Sequence, residues 1–464
     1  MDKIIGDGRR YRSTSRRGLL LIETTITPLH RPRGEVAPLV SNAESFKIAI
    51  EELSSGTGAL AVDAERASGY RYSSQSFLFQ FYRQGTRIFL IDPIDLRGER
   101  ELIDLFNSRF EEAEWIIHAS TQDLACIREF GFTPKKLFDT ELGARLAGQE
   151  RVGLGALTQS LLALSLAKEH SAVDWSYRPL HPEWKNYAAL DVDVLLEIYE
   201  KIKAILIADG KIDYAYQEFQ SILAAAPPAP RVDPWRRTSG MHQVKGRRAI
   251  AIVRELWLSR DELAQELDIA QGRILPDLAI SEIAILISQS LPDYDLQKFS
   301  KKSGEILNQS RHLKRRGKEY IARWISAIEA ALQLSESDLP AMRAISDSLP
   351  PIKLWRDKAP LAYARLTHAR FNLQELSSKL SIPMENLLLP DTLRRITWAS
   401  ERKSFDQSEL RELLRSLGAR AWQIELTLDP LERALKEREP RQISEEEEVL
   451  DSATSGPAPV GSDH

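Results

Sequence analysis

One cysteine, Cys126, is present among 464 residues. That excludes an internal disulfide framework and a cysteine-ligated zinc site, and it implies a reducing cytoplasm. Long apolar runs are also missing. The best candidate, "SLLALSLA", falls far short of the roughly 20 residues that cross a bilayer. The N-terminus is basic but has no apolar signal segment before a cleavage-like site. A dominant charge is absent as well, since 63 Lys and Arg face 67 Asp and Glu, a net charge of −4. That balance argues against a protein coated in nucleic acid, but not against local basic surfaces. Residues 1–34 hold eight cations (Lys3, Arg9, Arg10, Arg12, Arg16, Arg17, Arg31 and Arg33) against Asp2, Asp7 and Glu23. The far end, "SEEEEVLDSATSGPAPVGSDH", is acidic, rich in Gly, Pro and Ser, and reads as disordered.

Between these tails the pattern is organised. From about Pro38 to Ala225, strand-like runs ("GALAVDAE", "FLFQFY", "RIFLID", "WIIHA") are rich in β-branched and aromatic residues. Helical stretches are interposed, ending in "PEWKNYAALDVDVLLEIYEKIKAIL". That alternation predicts an α/β domain around a mixed sheet. "AAAPPAPRVDP" reads as a Pro-rich linker, and residues 235–437 read as helical throughout. They contain a repeat: "ELAQELDIAQGRILPD" matches "ELSSKLSIPMENLLLPD" with one insertion. In both copies Leu-Pro-Asp should end one helix, with the Asp capping the next.

Three stretches carry acids. Asp63 and Glu65 end the run "GALAVDAE" two residues apart, on one face of a strand. On spacing alone they are either a solvated strand end or the wall of a cation site, because a partly buried carboxylate needs a partner. Asp123 follows "WIIHA" in a Ser120-x-x-Asp123 capping box, and taken alone it reads as a cap. Cys126 reads as a small core residue and His118 as a packed, hydrogen-bonded histidine. In "YAALDVDVLLEIY", Tyr187 and Asp191 are one helical turn apart. Asp191 borders the apolar stripe, whereas Asp193 and Glu197 fall toward the polar side.

In this order, with "HASTQDL", "LFDTELGARLAG", "DWSYRPL" and "YAALDV" around the acids, the sequence resembles the DEDD exonuclease superfamily in its tyrosine-containing branch, the ribonuclease D family. The helical repeat resembles that family's helicase-and-ribonuclease-D C-terminal (HRDC) domains. The resemblance implies a ribonuclease H-like α/β exonuclease domain with a mixed sheet, followed by two all-α HRDC-like domains. It divides the chain into a basic flexible segment (1–37), the 3′–5′ exonuclease domain (38–225), a linker (226–234), two helical domains (235–318 and 319–437) and an acidic disordered tail (438–464).

The resemblance also implies that Asp63, Glu65, Asp123 and Asp191 bind two divalent cations, Mg²⁺ or Mn²⁺, and that Tyr187 orients the attacking water. Two hard cations on oxygen ligands suit phosphodiester hydrolysis, activating water and stabilising the leaving oxygen. The implied activity is a 3′–5′ exoribonuclease releasing 5′-monophosphates from RNA 3′ ends, with tRNA precursors and other structured RNA as substrates. A DNA exonuclease and an inactive RNA-binding scaffold are the alternatives. Asp139 and Thr140 read as a helix cap, and Arg178 as either a phosphate contact or a structural ion pair. Trp184 stands where the family often has Gln. The basic clusters "WRRTSGMHQVKGRRA", "KKSG" and "RHLKRRGKEY" read as phosphate contacts beside such a core. Trp235, Trp257 and Tyr320 are candidates for base stacking, with core packing the better reading for Trp257.

Overall fold

The computed structural model describes residues 25–166, 172–227, 229–343 and 349–441. Its first part is built on β1 (Thr27–Leu29), α1 (Ala43–Ser55), β2 (Thr57–Arg66), β3 (Ser76–Gln84), β4 (Phe89–Ile91), α2 (Arg100–Arg109) and β5 (Glu114–Ile117). These are followed by α3 (Leu124–Phe130), β6 (Lys136–Asp139), α4 (Thr140–Leu146), α5 (Leu154–Leu162), β7 (Leu164–Leu166), α6 (Pro182–Asp193), α7 (Leu195–Ala208) and α8 (Ile212–Ala224). A five-stranded sheet runs in the order β4-β3-β2-β5-β6. β3 pairs antiparallel with both β4 and β2, while β2, β5 and β6 are parallel. This is the mixed sheet expected from the alternating pattern.

The two faces of the sheet differ. Phe79 and Phe81 of β3 join an aromatic cluster with Phe46, Phe106, Phe130 and Phe132 from the side of α1, α2 and α3. Leu78, Gln80 and Tyr82 alternate to the opposite face, where α6 packs across β2, β3 and β4. Since Val62 and Ala64 pair with Phe81 and Phe79, while Asp63 and Glu65 pair with Gln80 and Leu78, the two acids lie on the α6 face.

Two sequence expectations change here. Residues 25–37 are part of the fold rather than a flexible arm. β1 pairs with β7, and the Ala37 amide donates to the Ile88 carbonyl at 2.9 Å. The cations from Lys3 to Arg17 lie outside the described residues. The long helix read from Pro182 is divided at Val194, between α6 and α7. Asp193, placed on a polar side by helical spacing, is buried. Its carboxylate accepts from Arg33 Nε at 2.9 Å and from the Gly34 amide, and its carbonyl accepts from Arg33 Nη2.

After the linker come α9 (Arg247–Leu267), α10 (Gln271–Ile274), α11 (Asp277–Ser290), α12 (Leu296–Asn308), α13 (Arg315–Glu319) and α14 (Ile321–Gln333). Then follow α15 (Trp355–Lys358), α16 (Pro360–Leu380), α17 (Met384–Leu387), α18 (Pro390–Ser400), α19 (Gln407–Ser416) and α20 (Ala421–Leu435). The repeat is plain in the geometry. Helices α9 and α16 each have 21 residues and stop at a left-handed residue, Asp268 or Ser381. A short helix follows in each copy, then one opening at the Leu-Pro-Asp sequence.

Asp277 does not cap α11 as expected. Its carboxylate is taken by the Arg260 guanidinium at 2.7 Å and the Ser239 amide. Asp391 pairs with Arg395. The boundary expected between residues 318 and 319 also moves. Helix α14 packs on α9, and Trp324, Ile328, Ala331 and Leu339 belong to the first helical core. The second core gathers from Leu349 and Trp355 onward. Residues 438–441, assigned to the tail, still touch α16, where the Arg441 amide donates to Thr367 Oγ1. The rest of the tail lies outside the described residues.

Both helical units dock on the exonuclease domain. From the second, Trp422 stacks on Tyr214 with centroids 4.9 Å apart, and its indole and Arg420 both engage Glu218. From the first, the Ala270 amide donates to the Tyr70 carbonyl, Asp268 accepts from the Ser73 amide, and Arg273 lies 3.9 Å over the Tyr70 ring. That second docking site is the loop leaving the acid-bearing end of β2.

Candidate active site

Three segments meet at the end of β2: the strand itself, the start of α3 and helix α6. Strand alternation aims Asp63 and Glu65 together at α6, and the helical repeat stacks Tyr187 and Asp191 one turn apart on α6. Asp63, Glu65 and Asp191 each offer a carboxylate oxygen within 4.8 Å of the others. The Tyr187 hydroxyl is hydrogen-bonded to the Asp191 carboxylate. The family resemblance implied one site of Asp63, Glu65, Asp123, Tyr187 and Asp191, and the fold brings Asp63, Glu65, Asp191 and Tyr187 together.

The electrostatics follow from the crowding. Burial, then Asp63, Asp191 and Asp123, hold the Glu65 carboxyl well above the usual carboxylate range. Burial and Asp63 do the same to Asp191, against the opposing hydrogen bond from Tyr187. Burial raises Asp63, opposed by the Ala64 amide and Arg66. The Tyr187 phenol is pushed far up by burial and then by Asp191, Glu65 and Asp63, so it stays protonated. Buried like charges at this spacing require a counter-charge. An all-oxygen donor set of carboxylates suits a hard divalent cation, so the residues present fit Mg²⁺ or Mn²⁺.

Asp123 stands differently. It is 6 % exposed and sits at the N-cap position of α3, yet its side chain makes no cap hydrogen bond. The expected capping box does not form because Ser120 is engaged elsewhere. Its amide and hydroxyl both donate to Asp139 Oδ2. Asp139 also caps α4 through the Glu141 and Leu142 amides and accepts from the amide of Ala119, a non-glycine residue at φ +54°. A left-handed alanine is strained, and Asp139 secures the turn that delivers Asp123. Asp123 is not among the three acids gathered within 4.8 Å. Its Oδ1 lies 3.4 Å from Arg66 Nη2. Burial and then Asp63 raise it well above the carboxylate range, with Arg66 opposing. Arg66 escaped the sequence reading, although a cation directly after Glu65 was the available signal.

Other expectations resolve as structure. Arg178 grips Asp92 with two nitrogens, at 2.6 and 2.8 Å, and donates to the Phe77, Trp175 and Tyr177 carbonyls, which makes it a structural ion pair. His118 meets Thr140 Oγ1 at 2.9 Å, and Cys126 is buried with its thiol donating to the Asp123 carbonyl. Trp184 packs edge-on against Trp175. Trp235 is buried under Arg236, so it offers no stacking platform. Trp257 and Tyr320 pack on the first helical core. In contrast, Lys301, Lys302, Arg311, Lys314, Arg315, Arg316 and Lys318 are exposed.

Comparison with known proteins gives a consistent picture. Residues 38–207 match a family model described as a 3′-5′ exonuclease, and residues 348–435 one described as a 3′ to 5′ exonuclease C-terminal domain. The chain is 30 % identical over 298 residues to ribonuclease D of Jannaschia sp., covering 62 % of this chain and 72 % of that one. It is 34 % identical over 178 residues to ribonuclease D of Acidiphilium cryptum, covering 37 % of this chain and only 44 % of that relative. Among solved structures, a protein from Bifidobacterium adolescentis superposes with a TM-score of 0.76 at 35 % identity, over 89 % of this chain and 100 % of that one. Escherichia coli RNase D does so with a TM-score of 0.59 at 21 % identity, over 87 % and 99 %, which speaks for the fold.

Proposed function

Since this chain belongs to the ribonuclease D family, we propose that it is a metal-dependent 3′–5′ exoribonuclease acting in the cytoplasm. It removes nucleotides one at a time from RNA 3′ ends and releases 5′-monophosphates, with tRNA precursors and other structured RNA as its substrates. The observation that carries this reading is the convergence of Asp63, Glu65 and Asp191 within 4.8 Å, with Tyr187 bonded to Asp191.

Asp63, Glu65, Asp191 and Asp123 would hold two divalent cations, which when bound supply activation of water and charge stabilisation at the leaving 3′-oxygen. The chain's own part is positioning. The Tyr187 phenol, hydrogen-bonded to Asp191, orients a water beside the acids. Arg66 Nη2 lies 3.4 Å from Asp123 Oδ1, so Asp123 would give up part of this contact to join the three-acid cluster at a cation. The β5–α3 turn fixes Asp123 through Asp139, so all four acids sit on regular elements or on turns locked by hydrogen bonds.

The two helical units, HRDC-like in this reading, hold RNA through phosphate contacts. Lys301, Lys302, Arg311, Lys314, Arg315, Arg316 and Lys318 form no ion pair among the described residues, and solvated cations of this kind bind a phosphate backbone without sequence preference. Phosphate contacts are common to RNA and DNA, so matched oligonucleotides of the two kinds separate the exoribonuclease from a DNA exonuclease. The test is a gel of end-labelled 3′-extended RNA and matched DNA, incubated with wild type and Asp191→Asn, with and without chelator. Shortening from the 3′ end by wild type alone, abolished by chelator and faster on RNA, is expected. Intact RNA in Mg²⁺ and Mn²⁺ overturns the reading.

A further inference from the structure

Gln80 is the most anomalous side chain near the acids. It is 0 % exposed, and neither its Oε1 nor its Nε2 has a hydrogen-bond partner. It lies in the middle of β3, where every residue from Ser76 to Phe81 is buried, among Phe77, Leu78, Phe79 and Phe81. An apolar residue would fill that position without stranding polar atoms. Trp115 and Trp175 also leave a buried indole N–H unpaired, but their rings fill core volume, whereas Gln80 strands both ends of its amide. Retained buried polarity of this kind needs an explanation.

The sheet register supplies one. Gln80 is the cross-strand partner of Asp63. Directly opposed residues in an antiparallel pair share a face, with Cβ atoms about 4.5–5.5 Å apart. The amide therefore projects beside the Asp63 carboxylate, beneath α6. Being fully buried, it cannot touch RNA, so any role in the reaction passes through Asp63. A carboxylate that gives one oxygen to a cation leaves the other in need of a donor, and partners of that kind orient ligands and tune affinity.

On the functional reading above, we propose that Gln80 is a positioning residue for Asp63: its amide N–H holds the carboxylate oxygen turned away from the bound divalent cation. The amide becomes satisfied when Asp63 takes its ligating orientation. Affinity for the cation is thereby coupled to a residue that never contacts it.

The experiment compares wild type with Gln80→Met and Gln80→Asn in the full chain. Mn²⁺ is titrated by calorimetry and by its effect on Tm, and kcat and KM are measured on a 3′-extended RNA oligonucleotide. The methionine variant removes both stranded atoms, so its metal-free Tm should equal or exceed that of wild type, because an apolar replacement of unsatisfied polar groups is neutral or stabilising. Its Mn²⁺ affinity should fall about 10- to 100-fold, the usual effect of losing a ligand's hydrogen-bond partner. The KM for RNA should stay unchanged, with the kcat deficit recovered by raising Mn²⁺. The asparagine variant, one methylene shorter, should show the same loss of affinity. A lower metal-free Tm with unchanged Mn²⁺ affinity, or failure of both variants to fold, makes Gln80 a structural residue and overturns the proposal. Wild type that takes up no Mn²⁺ overturns the functional reading and this proposal together. Equal binding by wild type and Gln80→Met overturns this proposal alone.

Discussion

Asp191→Asn is the sharpest perturbation of the site because it should stabilise the metal-free protein while disabling it. The side chain is 9 % exposed and shares a 4.8 Å cluster with Asp63 and Glu65. Asparagine keeps the shape, and its Oδ1 still accepts from Tyr187. At a separation of 4.8 Å, the widest in the cluster, and an effective dielectric of about 20, a fully ionised pair would repel by about 3.5 kcal/mol. The acids take up protons rather than bear the full repulsion, as their raised pKa values record. A group whose folded pKa lies above its unfolded value of about 3.9 binds extra protons in the native state. Stability from that group is complete below the unfolded pKa and is lost as pH rises through the folded one. Wild type should therefore weaken relative to Asp191→Asn on going from about pH 4 to about pH 8. Mn²⁺ at about 100 times Kd should restore about 2.7 kcal/mol to wild type and far less to the variant. Thermal unfolding at both pH values, with Mn²⁺ or chelator, reads all these quantities. Equal metal-free stabilities at the higher pH, together with an undiminished Mn²⁺ shift in the variant, would refute the argument.

Tyr187→Phe should lower kcat by about 100-fold with little change in KM, the usual cost of misplacing a reacting group by about 1 Å; single-turnover kinetics on 3′-extended RNA check it. Arg178→Ala should cost about 3–5 kcal/mol by stranding Asp92 as a buried, unpaired carboxylate, visible as a lowered Tm, while KM for RNA in the surviving folded fraction stays near wild type. Replacing Lys314, Arg315 and Arg316 together by Ala should leave Tm unchanged and reduce the slope of log affinity against log salt by about 2–3, measured by fluorescence anisotropy with unlabelled RNA as competitor.

How much of this molecule was legible in its sequence depends on whether each signal was local or came from a distant partner. β2, β3 and β5 announced themselves through composition and alternation. The helical repeat was readable because each copy carries its own stop signals at the end of a 21-residue helix. What stayed hidden was decided by residues far along the chain. Asp193 looks solvent-facing on a helical wheel and is buried only because Arg33, 160 positions earlier, claims its carboxylate and its carbonyl. The amphipathic α14 shows an apolar stripe without showing which core it enters, and only its packing on α9 assigns it to the first helical unit. The three-residue strands β1 and β7 are too short to register as a pattern and find each other across 137 positions (164 − 27).

The candidate site divides along the same line. Strand and helix periods put Asp63 beside Glu65 and Tyr187 above Asp191, but only the resemblance to a known family joined the two pairs into one site. Asp123 was ambiguous because two reactive partners compete for the start of α3. Had Ser120 bonded within its own helix, a capping box would have held the chain end and turned Asp123 toward its own backbone. Asp139, arriving from the next parallel strand, takes the Ser120 amide and hydroxyl instead, and Asp123 is left to face Arg66 and the cluster. The choice between cap and candidate ligand is thus made by the β5–β6 pairing, which sets Ile117 against Asp139. An acid whose local sequence argues for a structural role becomes available for chemistry because a neighbouring strand has already satisfied the groups it would otherwise have served.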